Sequence, residues 1–176
     1  MQMCTQAGNV GTTTPTANSR LYCTTDMSCQ VNGVTLSCVY VAVMIPSATA
    51  PYMTVSKRVV ISLADTNVLL GAVAANPSTN QVGVVAMAIG KATTTATKCA
   101  SVFFRVDGAA GTIAQSYSVA GSGYLYDWVN PGRVGDYNDA GVDANNVFFG
   151  ASEQGYPTTS WSYTNWATNI FTTALT

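Results

Sequence analysis

The chain has 176 residues, seven of them basic and eight acidic, with a net charge of −1 and no histidine. That length suits one domain with a sizeable core, and an apolar share of 48 % excludes charge-driven disorder. The missing histidine excludes Ser-His and Cys-His nucleophile pairs. The scattered basic residues, with only Lys57 and Arg58 adjacent, exclude a phosphate-binding arm and hence a nucleic-acid partner.

Residues 1–19 are polar and turn-rich and read as an N-terminal arm, with 20–176 as the domain. An arm of this composition is expected to lie on a neighbouring copy rather than to donate a strand. Its first ten residues, MQMCTQAGNV, show neither the basic nor the apolar region of a signal peptide. The chain is therefore expected to be a mature form or to be exported by another route.

Tyr22 to Pro46 holds three of the five cysteines and the strongest turn signal. A type I′ turn at Asn32-Gly33 sets Cys29 opposite Leu36 and leaves Cys38 on the diagonal, with Cβ atoms about 7–8 Å apart. A type II′ turn at Gly33-Val34 instead sets Cys29 directly opposite Cys38. Both registers keep the same residues on the same faces, so hydrophobicity does not choose between them. A Cys29–Cys38 bond favours the second and free thiols the first. Cys23 and Cys99 then form the remaining internal pair, and Cys4 is the odd cysteine, suited to a bond with a neighbouring copy. No CxxC spacing supports zinc.

Cys38 to Ile45 is apolar on both faces and reads as a central strand covered on both sides, or as a strand whose second face meets a partner. Thr54 to Leu63 alternates and is β-branched, a further strand. Asn67 to Ala75 fits a strand or a short helix. Gln81 to Ile89 is a buried strand in which Gly83 suggests a bulge. Gly90 to Lys98 is a Thr-rich connection or a lysine-guarded edge strand. Ala100 to Val106, Gly111 to Val119 and Tyr124 to Val129 continue the pattern, and no segment has a sustained helical period. Many short strands with Gly, Pro and Asn punctuation predict an all-β single domain, a β-sandwich or jelly-roll-like barrel. No apolar run approaches the ~18 residues of a membrane span.

Asn130 to Asn146 carries three of the eight acids. Asp136, Asn138 and Gly141 resemble the first, third and sixth positions of an EF-hand loop, but Ala140 and Val147 stand where the fifth and twelfth ligands belong. A calcium site outside that family would draw on Asp136, Asn138, Asp139 and Asp143. The competing reading is a loop of Asx turns. In the aromatic tail, Trp161, Tyr163 and Trp166 offer rings for a glycan. On a strand, however, Trp166 points away from the other two, so core or interface packing is the stronger reading. Asp127 and Glu153 have no spacing that pairs them as hydrolase carboxylates. No phosphate loop or GxSxG elbow occurs, and the chain does not read as an enzyme.

Low charge, cysteines and two-sided apolar strands together predict a structural subunit whose partners are copies of itself. It would build an extracellular or cell-surface filament, tube or layer, with arm exchange or calcium as a lock. The alternatives are a virion component (tail-tube, decoration or capsid) and a secreted carbohydrate- or calcium-dependent adhesion module.

Overall fold

A computed structural model describes residues 4–7, 19–76, 78–90, 97–107, 110–118, 123–125, 138–155 and 166–175. These form twelve strands in three antiparallel sheets, with no helix and no closed barrel among the described residues. The all-β expectation holds at that level, and the barrel alternative does not.

The first sheet has the order β1 (Cys4–Ala7), β2 (Arg20–Val31), β3 (Val34–Pro46), β4 (Met53–Ile61). The second runs β5 (Thr66–Ala75), β6 (Gln81–Gly90), β7 (Thr97–Asp107), β8 (Thr112–Ser118), with β9 (Gly123–Leu125) also pairing with β7. The third runs β10 (Asp139–Val142), β11 (Val147–Gly155), β12 (Trp166–Ala174). Residues 4–7, read from sequence as part of an arm, are thus a strand paired with the chain's own β2. Their backbone groups are satisfied there whatever their composition.

Alternation assigns the layers. Val39, Val41 and Val43 of β3, with Tyr22, Val59 and Ile61, pack against Val82, Val84, Val102, Phe104 and Val106 of the second sheet. The residues between these on the second sheet, Ala72, Ala74, Val85 and Phe103, pack on Phe148, Leu175 and Phe171 of the third. The second sheet is therefore buried on both faces, which is why Gln81 to Ile89 reads as a continuous apolar run. Phe103, Phe148 and Phe171 form a ring cluster with centroids 5.0, 5.7 and 6.0 Å apart. Burying a phenylalanine of this kind contributes about 1.5–3 kcal/mol.

Gly83 is not a bulge: it stays in register opposite Ala74 and Arg105. Its lack of a side chain serves packing, because a Cβ there would overlap the Phe148 ring. The bulge lies instead in β5, where the register shifts between Leu69 and Ala72 and Leu70 takes a φ of 58°. This one extra residue keeps Val68 on the first-core face and then moves Val73 and Ala75 onto it.

Tyr22 is fully buried, its hydroxyl donating to Asn80 Oδ1 at 3.2 Å. Burial pushes its pKa up to about 12, with Arg20 opposing and Asp107 reinforcing.

Two outcomes follow. Gly83→Ala is expected to destabilise the fold by about 1–3 kcal/mol in urea unfolding, whereas Gly141→Ala, whose Cβ would meet nothing within 4 Å, leaves the midpoint nearly unchanged. For Tyr22, the unfolded chain loses its phenolic proton near the ordinary value of 10.0 and the folded chain only near 12. Its contribution is complete below about pH 10 and is lost on rising toward pH 12, about 2–3 kcal/mol in all. Tyr22→Phe should flatten the stability decline in that window, measured by denaturation at stepped alkaline pH. An unchanged slope would contradict this.

Candidate functional site

The outer faces of the two flanking sheets carry the surface features that alternation leaves over. On the first sheet, β3 turns Val39, Val41 and Val43 inward, so Tyr40, Ala42 and Met44 face out. Cross-strand pairing places Val60 beside Tyr40 and Arg58 beside Ala42. The register steps at Val43/Met44, where the Ser56 hydroxyl donates to the Val43 carbonyl at 3.0 Å, and this sets Val55 beside Met44. From β2, Met27 joins the same face and is 51 % exposed. The face is apolar, with Arg58 as its charge.

On the third sheet, Phe148 and Phe171 turn inward, and so Phe149 and Ile170 turn outward. Ile170 is 73 % exposed and Phe149 43 %. Ala151 sits between Asp139 and Ile170 in one cross-strand row. Sequence reasoning named β3 as two-faced but missed this second surface. Its signal was the adjacent pair Phe148-Phe149, which a strand must split between opposite faces.

The acidic segment does structural work in the described residues. Asp143 Oδ1 accepts the N–H groups of Asn145 (2.9 Å) and Val147 (2.8 Å), an Asx turn that closes the β10–β11 hairpin. Asp139 Oδ1 accepts from the Ala140 N–H at 2.8 Å. Asn138 donates its side-chain amide to the Leu70 carbonyl in the β5 bulge. Asp136 lies outside the described residues, and among those described no group of three or more His, Cys, Asp or Glu side chains is placed to hold a metal.

That bulge is where the three sheets meet. The Leu70 N–H donates to both carboxylate oxygens of Asp26 at 2.9 Å, and the Thr24 hydroxyl donates to the Gly71 carbonyl. A Cβ on Gly71 would approach Val39 Cγ1 to 2.5 Å. Two β2 side chains and Asn138 thus satisfy backbone groups that the bulge removes from the ladder.

The cysteines depart from expectation. Cys4 is bonded to Cys23, its direct cross-strand partner, with Cα atoms 4.1 Å apart. Cys23 therefore pairs with Cys4 and not with Cys99, and Cys4 is not the odd thiol. Recruitment of residues 4–7 to the sheet brings the two together, which a reading of the segment as an arm does not provide. Cys29 and Cys38 are also bonded, with Cα atoms 5.9 Å apart, yet Cys29 stands opposite Leu36 and the turn is Asn32-Gly33, both at positive φ. Register and bond are compatible after all. Past Val39, where pairing with β4 ends, the hairpin is two-stranded. The diagonal from Cys29 to Cys38 is 5.9 Å between Cα atoms, inside the range that a disulfide spans.

Trp161 and Tyr163 lie outside the described residues, as does Asp127; Trp166 opens β12 opposite Gly155, and Glu153 lies in β11 opposite Thr168. No helix among the described residues is long and apolar enough to cross a membrane. No protein-family model, curated protein or solved structure matches the chain.

With Cys4 bonded inside its own chain, a non-reducing denaturing gel should give one band at monomer mass, slightly faster than the reduced band. A ladder that collapses on reduction and persists in a Cys99→Ser variant would return Cys4 to an intermolecular role.

Proposed function

We propose that the chain is a structural subunit that self-associates through its outer β-surfaces, building an extracellular filament, tube or surface layer. The three-layer β-stack is the scaffold in this reading, and the flanking sheets are its contacts. The observation that carries it is the set of large apolar side chains exposed on both outer faces, with Met27 and Ile170 each more than half exposed. A surface of this kind marks an interaction site when its residues are contiguous across strands. The chain's low charge supports the same reading, since a net charge of −1 opposes association weakly. Two disulfides fit an oxidising compartment and hence a secreted protein.

Negative-stain microscopy and light scattering of the native protein across concentration test this reading. Particles whose mass grows with concentration are expected, and a monomer at every concentration would overturn it.

A further inference from the structure

The two outer faces differ in a way that selects the contact between copies. On the first sheet, one cross-strand row runs Arg58, Ala42, Cys23, Cys4, flanked by the row of Val60 and Tyr40. On the third sheet, a row runs Asp139, Ala151, Ile170, next to Phe149. Each row has a small residue at its centre and a charge at one end, and the two charges are opposite in sign. A contact between two copies of either face brings charges of one sign only to these rows, with no opposite charge to pair them. Pairing the first with the third brings opposite charges, Arg58 and Asp139, into one contact with the exposed apolar side chains Val60 and Ile170.

We infer that the first sheet of one copy packs on the third sheet of the next, a head-to-tail contact that repeats the molecule's own layer order. The inference rests on the self-association reading and names its interface. A heterologous contact leaves one unused face at each end, so it propagates into a linear stack unless the rotation closes a ring. Sheet-on-sheet packing at about 10 Å is already used twice inside the chain, on either side of the second sheet. The third-sheet face, two strands of nine residues and one of four, has a footprint of about 350 Å² per copy. That is less than half of the ~800 Å² per partner of a standard specific interface, so single contacts are weak and growth depends on concentration.

Complementary face variants test the assignment in sedimentation velocity. Val60→Glu with Met27→Glu disables the first-sheet face, and Ile170→Lys with Phe149→Lys disables the third-sheet face. These positions are solvent-exposed, and circular dichroism with the unfolding midpoint verifies that each variant folds. A variant that fails this check is replaced by its single-site form, Val60→Glu or Ile170→Lys. Each folded variant alone should be monomeric, while the mixture should form dimers and nothing longer, since each supplies the face the other lacks. Arg58→Glu should weaken association by about threefold, and adding Asp139→Arg should restore it. Self-association of either variant alone would overturn the head-to-tail contact, leaving an isologous one. Wild-type filaments unaffected by both variants would overturn this interface while sparing the self-association reading. A wild-type monomer at all concentrations would end both.

Discussion

The extra residue at Leu70 in β5 is the constraint on which the layered arrangement depends. Without it, alternation would run unbroken through the strand, and Val73 and Ala75 would leave the core they share with Val39 and Val41. The bulge also frees backbone groups on the edge of the second sheet. Asp26 and Thr24 reach them from one flanking sheet and Asn138 from beside the other. An edge that would otherwise template pairing is covered by side chains.

The same economy appears at the far end of β5. Asn76 is buried, and its Oδ1 accepts the N–H groups of Ser78 and Thr79 while its amide donates to the Leu175 carbonyl at 2.8 Å. One side chain therefore closes the β5–β6 turn and fastens the segment after β12 to the central sheet. Gly83 completes the tie by admitting the Phe148 ring against β6. The third sheet is held by polar anchors at its margins and an aromatic cluster at its centre.

A stack built this way has a consequence for its outer surfaces. The central sheet uses both of its faces internally, whereas each flanking sheet uses one. Strands with apolar residues on both faces then present large side chains outward, Met27 and Val60 on one side and Phe149 and Ile170 on the other. The disulfides reinforce one such face. Cys4 and Cys23 lie in the row of Ala42, and Cys29 and Cys38 stand opposite Leu36 and Met27 farther along the same face, so the two bonds tie down β1 and the hairpin tip.

By itself the sequence determined the all-β class, the strands at Thr54 to Leu63, Gln81 to Ile89 and Ala100 to Val106, the Asn32-Gly33 turn as one of two registers, and the two-faced character of Cys38 to Ile45. These are local signals: period, turn chemistry and β-branching act within a few residues. The Asx-turn reading of Asp143 was likewise within reach, because its partners lie at most four residues away. Only the tertiary structure decided that residues 4–7 are a strand, that Cys4 belongs to Cys23, and that Cys29 reaches Cys38 across a diagonal in the Asn32-Gly33 register. It also decided which glycine marks the bulge and which makes room for a ring: Gly71 and Gly83 both sit in apolar strand runs, and nothing local separates them. What separates them is the neighbour each one meets, Val39 for one and Phe148 for the other, and those neighbours come from distant parts of the chain that only the stacking of sheets brings together.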